Sequence, residues 1–214
     1  MTRVEIPESE IRTSLRVPHW GWFLSLAAIL VLLGAALVLW LPSYQDRRMA
    51  EVVDTWGGKS LKRATPPDWL QNVIGKDRLK RFRVFDRIVE INLADAPVTD
   101  LELAQLINCC TNLESLSVKG REITALSLYR LSRRRNLAHL AFDGTTLTDS
   151  DLVHLEGMTN LRYLSVKGTA VTDAGLAHLT VLTKLEHLGL YETGVTDSGI
   201  SELRKSLPSC NISY

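Results

Sequence analysis

Four Thr-Asp pairs recur along the second half of this chain, at Thr99-Asp100, Thr148-Asp149, Thr172-Asp173 and Thr196-Asp197. Carboxylates beside hydroxyls at regular intervals could hold a metal ion or share acid–base work. Four histidines fall in the same region, His139, His154, His178 and His187. Three cysteines complete the reactive side chains, the adjacent Cys109 and Cys110 and the distant Cys210. An odd number of thiols with no CxxC spacing is neither a disulfide framework nor a zinc motif. Which of these groups can act together depends on the elements that carry them.

Those elements follow from an internal repeat. Leu161, Leu164, Val166, Val171, Leu176, Leu179 and Leu182 are matched 24 residues later by Leu185, Leu188, Leu190, Val195, Ile200 and Leu203. Going backwards, Leu137, Leu140, Phe142, Leu147, Leu152, Leu155 and Met158 keep the register, as do Leu113, Leu116, Val118, Ile123, Leu128 and Leu131. A first block, one residue longer, holds Ile88, Ile91, Leu93, Val98, Leu103 and Leu106. In each block L-x-x-L-x-L alternates as a short strand with one face inward. The later apolar residues are spaced as on a helical turn. Between them stands the Thr-Asp pair, whose oxygens accept hydrogen bonds from unpaired N–H groups at a helix start. The pairs therefore read as architecture, and Thr124-Ala125 in the second block predicts a weaker cap. One unit cannot bury its apolar stripe alone; stacked units bury it against each other.

This pattern resembles leucine-rich repeats, in particular the ribonuclease-inhibitor and F-box-associated kind with I/V-T-D-x-G-L, over residues 88–214. Cys110-x-x-Leu113 matches the cysteine that often opens a repeat there, although later turns carry Arg134, Met158 and Leu182 at that position. The layout of short tail, apolar segment and TD-type repeats also resembles membrane-anchored bacterial repeat proteins. The resemblance implies an α/β fold, a right-handed leucine-rich repeat solenoid with the parallel sheet concave and the helices convex. It implies a protein-binding scaffold without shared chemistry. The terminal "SCNISY" is expected to add a closing strand, with Ile212 and Tyr214 facing inward.

The strand residues between the inward ones form three exposed columns. They are Glu90, Ser115, His139, Tyr163, His187; then Asn92, Ser117, Ala141, Ser165, Gly189; then Ala94, Lys119, Asp143, Lys167, Tyr191. The middle column is small, so a partner could approach closely there. Tyrosine and histidine are amphipathic groups suited to interfaces. The candidate protein-binding patch is therefore His139, Tyr163, Lys167, His187 and Tyr191, against the alternative of an ordinary solvated sheet face. His139 and His187 stand two strands apart, roughly 9–10 Å, too far to share one ion. His154 and His178 occupy equivalent helix positions, with nothing nearby to complete a tetrahedral set. No GxSxG, HExxH or P-loop occurs. Cys110 falls on the buried side, and the exposed serines lack an oriented base. The expectation is no catalysis, no metal and no cofactor.

The N-terminal part reads differently. After a tail at 1–19, residues 20–41 read "WGWFLSLAAILVLLGAALVLWL", without charge or proline. As a helix this stretch would be roughly 33 Å long, enough for a hydrocarbon core of about 30 Å. Trp20, Trp22 and Trp40 mark its two ends as an aromatic belt would. A cleaved signal peptide is the rival reading, but the run exceeds a usual h-region and bulky residues stand where a cleavage site would be expected. The expectation is a single-pass signal anchor, the lipid bilayer being its partner. Flanking Arg3, Arg12 and Arg16 nearly balance Arg47, Arg48 and Lys59, and the short basic tail favours a repeat domain outside the cytoplasm.

Residues 42–87 are expected to form a basic helical linker and N-terminal cap. Pro42 should end the span, Ser43 and Asp46 resemble a capping box, and Met49, Val52, Val53 and Trp56 make an amphipathic helix stopped by Gly57 and Gly58. A short second helix is expected around Trp69, Leu70, Val73 and Ile74, closed by Gly75, with Trp69 and Phe82 as cap core. From 43 to 87 there are 11 Lys/Arg against 6 Asp/Glu, whereas 88–214 has 11 against 15. That basic collar could touch anionic headgroups or be merely a solvated cap. Net charge is +1, and Arg133, Arg134 and Arg135 alone read as a solvated turn, so no nucleic acid is expected. The functional expectation is a membrane-tethered module binding an unknown protein or peptide through its concave face; the alternative is a structural spacer or assembly element.

Overall fold

A computed structural model describes residues 20–66, 68, 71–72, 86–94, 96, 98–120 and 125–214, with backbone only at 20–25, 28, 35, 36, 39, 86 and 125. The chain divides into two units, Met1–Leu39 and Trp40–Tyr214. Helix α1 spans Trp20–Thr55. In the first unit the consecutive residues Ile29, Leu30, Val31, Leu32 and Leu33 are all at least half exposed. Five residues in a row cover every side of a helix, so apolar surface faces outward all round. Counted over the described side chains only, no helix is long and apolar enough to cross a membrane. The described side chains alone thus do not supply the expected transmembrane helix, and the stretch 20–41 includes residues described by backbone only.

The expected stop at Pro42 is overturned, because Pro42 lies inside α1. A mid-helix proline costs about 3 kcal/mol through its missing N–H and ring clash, and tertiary packing outweighs it. Ser43, Asp46, Ala50 and Val53 form a buried stripe at helical spacing, with Met49 and Trp56 packed beside the core. The expected capping box is overturned with the stop. Ser43 Oγ donates to the Trp40 carbonyl at 2.8 Å from within the helix, and Asp46 accepts from Ile88 N–H on the sheet at 3.3 Å. The expected end at Gly57 and Gly58 is found. Gly57 takes φ 80°, its N–H donates to Asp54 and that of Gly58 to Val53, the paired closure of a left-handed cap.

The cap is partly a strand where helices were expected. β1 (Lys59–Ala64) pairs antiparallel with β2 (Asp86–Leu93), with an irregularity between Leu61 and Lys62. The expected helix around Trp69 and Val73, and the cap-core residue Phe82, lie outside the described residues except for Asp68, Gln71 and Asn72.

From β2 onward the repeats stack as expected. β3 (Ser115–Lys119), β4 (His139–Asp143), β5 (Tyr163–Ser165), β6 (His187–Gly189) and β7 (Asn211–Ser213) continue one sheet in chain order, every pair parallel. Between them run α2 (Asp100–Cys109), α3 (Ala125–Ser132), a 3-10 helix (Asp149–Leu155), α4 (Asp173–Leu179) and α5 (Asp197–Ser206). The inward residues of the five blocks are buried, apart from half-buried Val195 and from Ile123, which lies outside the described residues. Ile212 is buried on β7, but Tyr214 is 50% exposed against Arg204, 5.9 Å from its ring, so its inward placement is overturned.

Candidate functional site

The Thr-Asp pairs are the natural place to begin, because they could have been chemistry. Thr99, Thr148, Thr172 and Thr196 all precede a helix as its cap. The aspartates do something the sequence reading missed. Asp149 accepts both the N–H (2.7 Å) and the hydroxyl (2.6 Å) of Thr172, one turn further on. Asp173 does the same for Thr196, at 2.8 and 2.6 Å. The Thr196 hydroxyl and N–H hold the Asp173 carboxyl below its ordinary range. These carboxylates are hydrogen-bond struts between turns.

The glycine of T-D-x-G follows from the same contact. A Cβ at Gly175 would run into the Asp149 carboxylate, and one at Gly199 into that of Asp173. At Thr99 and Thr148 the third helix position carries a carboxylate of its own. Glu102 caps Thr99, and Asp151 caps Thr148 from within the same turn. For Thr148 the turn before offers Ala125 in the aspartate position.

Two of the three thiols, one histidine and one arginine of the basic triplet are held within the fold. Cys110 and Cys210 are buried, and burial pushes both thiols up, away from the thiolate. His178 meets Glu156 at 2.7 Å rather than His154. Among the described residues no cluster of three His, Cys, Asp or Glu could hold a metal ion. Arg134 corrects the picture of a solvated triplet, since its guanidinium donates to the carbonyls of Ile107 and Asn108 at 2.8 and 3.1 Å. It thereby caps the C-terminus of α2, where a cation also suits the helix dipole.

The sheet face opposite the core is where exposed polar side chains gather. Parallel register places Glu90, Ser115, His139, Tyr163, His187 and Asn211 in one row. Three rings of that row adjoin: His139 to Tyr163 at 6.3 Å and Tyr163 to His187 at 6.4 Å between centroids. Lys167 lies over the Tyr191 ring at 5.2 Å. All five sequence-selected residues thus sit on one face, in two contact groups. The small middle column is partly explained by the protein itself. Ser165 is fully buried, and a Cβ at Gly189 would come within 3.0 Å of Lys167 Cε. The space at Gly189 admits the lysine stem, which corrects the reading that a partner is admitted there.

A groove of about 560 Å³ opens over β2–β5, edged by Arg63, Glu90, Glu114, His139, Asp143 and Tyr163. Ser115, Ser117 and Ala141 also line it. Arg63 and Glu114 form an ion pair at 2.7 Å. Neither residue was among the sequence candidates. Arg63 belongs to β1, which was not recognised as a strand, and Glu114 precedes the exposed column by one residue.

No family model and no curated protein matches the chain. Solved structures do resemble it. A leucine-rich repeat protein of Leptospira interrogans is 20% identical, with a TM-score of 0.42 over 51% of this chain and 27% of its own. An internalin C2 of Listeria monocytogenes is 23% identical, at 0.31 over 58% and 70%. An internalin of the same species, inlF, is 20% identical, at 0.36 over 67% and 53%. The chain thus spans about a quarter of the Leptospira protein's length. Its fold is α/β with a parallel sheet, and these similar structures are leucine-rich repeat proteins. The strand order and register of its own turns carry the α/β assignment, not the superpositions.

Proposed function

We propose that this chain is a membrane-tethered leucine-rich repeat module, a solenoid that binds a protein or peptide through its concave sheet face. The observation that carries the binding reading is the row of exposed His139, half-buried Tyr163 and exposed His187, with the Lys167–Tyr191 pair beside it. Rings concentrated on one solvent-facing surface are the residue types that anchor interfaces. The proposal is a binding role without catalysis, cofactor or nucleic acid.

The tether is supported by the 20–41 sequence, free of charge and flanked by tryptophans, and by the apolar side chains of Ile29, Leu30, Val31, Leu32 and Leu33, exposed on every side of that part of α1. A globular helix normally hides one face. The proposed localisation is single-pass membrane with the repeats outside the cytoplasm. A C-terminal tag after Tyr214, lost when sealed cells are treated with an impermeant protease, is the expected result. A tag cleaved only after lysis reverses the orientation.

The binding face is tested with a photo-crosslinking residue placed at Tyr163 or, as control, at exposed Val181 outside the sheet face. Crosslinked products in cells from position 163 alone, abolished by joint alanine substitution of His139, His187 and Tyr191, are expected. Equal products from both positions would remove the assignment and favour the spacer reading.

A further inference from the structure

The loop between α3 and β4 and the loop after the 3-10 helix border a cavity of about 680 Å³ that no strand residue lines. The first loop contributes Arg133 and Arg135, the second Gly157, Thr159 and Asn160. The first loop is fixed from both neighbouring turns. Arg134 reaches back to the carbonyls of Ile107 and Asn108, and Asn160 donates to the Arg135 carbonyl at 2.9 Å. Arg133 lies over the Tyr129 ring and donates to its hydroxyl at 3.2 Å. Gly157 leaves the space beside these arginines open. The equivalent residues of other turns are Cys109, Arg133 and Val181. The fold does not ask for glycine at this position. Gly157 is not in the left-handed conformation, and a Cβ on it would meet only the Ser132 carbonyl, at 4.0 Å. At Gly175 and Gly199, by contrast, an incoming carboxylate excludes a side chain.

Among the described residues no carboxylate lines the cavity, and the surrounding turns do not neutralise it. Residues 107–112 and helix α3 contain no acidic residue. Asp149 and Asp151, at the start of the 3-10 helix, are taken up by Thr172 and Thr148. Glu156, after its end, is engaged by His178. Residues 180–184 bring a further cation, Lys184, which donates to Asn160 at 2.7 Å. The geometry points to this cavity as a binding site for a phosphate group, held by the Arg133 and Arg135 guanidiniums with the Thr159 hydroxyl as a further donor. Guanidinium forks match phosphate oxygens in pairs. A carboxylate presents two oxygens, whereas a terminal phosphate presents three and up to two negative charges, and so answers two forks at once. The remaining volume admits whatever carries the phosphate, a soluble ester or a lipid headgroup. The site is separate from the sheet face and does not depend on the binding role proposed there.

The test uses the full chain in maltoside micelles, which carry no phosphate. Inorganic phosphate and acetate are titrated calorimetrically at equal ionic strength. Phosphate should bind at least about tenfold more tightly than acetate. Arg133→Gln with Arg135→Gln should weaken phosphate binding at least about tenfold. Gly157→Val, which fills the cavity without changing charge, should do the same. Arg204→Gln, on α5, should leave binding unchanged. Melting temperatures verify that each variant folds, and should Gly157→Val not fold, the double arginine variant decides alone. Phosphate bound no better than acetate, or weakened as much by Arg204→Gln as by the double variant, marks an adventitious ion only and overturns the inference. Undiminished binding in the double arginine variant, or in a folded Gly157→Val, also overturns it. Micelles doped with phosphatidic acid or, at equal charge, with oleic acid then separate the two sources. Phosphate binding lost with phosphatidic acid alone assigns the site to a lipid headgroup, and binding kept in both assigns it to a soluble phosphate ester.

Discussion

The early and late turns of this sheet solve one problem in two ways. Each helix start has backbone N–H groups needing acceptors. At Thr99 and Thr148 the second acceptor comes from within the turn, from Glu102 and Asp151. At Thr172 and Thr196 the threonine is instead gripped from the previous turn, by Asp149 and Asp173. The first arrangement makes a turn locally self-sufficient. The second couples neighbours and requires glycine at the third helix position, because the incoming carboxylate takes the place of a Cβ. The late turns thus hold their helix starts through hydrogen bonds between turns.

The strongest way to break that contrast is Gly199→Ala. The new Cβ must displace the Asp173 carboxylate, and a loss of about 2–3 kcal/mol is expected. Thermal unfolding of the full chain measures it. In an Asp173→Ala background the same substitution should cost far less, and an additive result would refute the steric explanation.

A second test probes the seam between α1 and the first strands. Asp46 is 2% exposed, with Arg87 Nε at 3.9 Å. Burial pushes its carboxyl up to about 6, against the opposing pull of Arg87, the Ile88 N–H and Lys62. A raised carboxyl favours the protonated fold. Its contribution is complete below the ordinary carboxylate range and is lost as pH rises through about 6. The chain should therefore lose about 2 kcal/mol between mildly acidic and neutral pH. Asp46→Asn should flatten that slope in a pH series of melting temperatures, and an unchanged slope would assign it elsewhere.

Amide exchange sharpens the comparison locally. Asp173→Asn should speed exchange at Thr196, one turn away, whereas Glu102→Gln should act on Thr99 in its own turn. Both carboxyls sit below their ordinary range, Glu102 through the Thr99 N–H and hydroxyl and Asp173 through the Thr196 hydroxyl and N–H. Both protections should therefore fade as pH drops through those depressed values. The smallest effect is expected at Glu192. It holds φ 58°, where the equivalent Gly120, Gly144 and Gly168 hold 62°, 64° and 63°. Glu192→Gly should stabilise by about 0.5 kcal/mol, relief of the left-handed conformation being offset by glycine's unfolded-state entropy.

Much of the candidate site was legible before any coordinates. The columns through His139, Tyr163 and His187, and through Lys167 and Tyr191, follow from counting strand residues in a fixed period, and the register reproduces them. Arg63 and Glu114 were not legible, because β1 carries neither alternation nor β-branched residues and its pairing with β2 comes from a distant part of the chain.

The sequence by itself determined the period, the inward residues and the threonine caps. Those properties are local, since a buried stripe and a helix start are written in neighbouring residues. Only the tertiary structure decided that α1 continues through Pro42, that Asp149 and Asp173 reach forward to the next turn, and that Lys167 fills the space at Gly189. Each depends on what stands beside a residue across the stack. A fixed period states which positions become neighbours, but not which of two available partners a side chain takes.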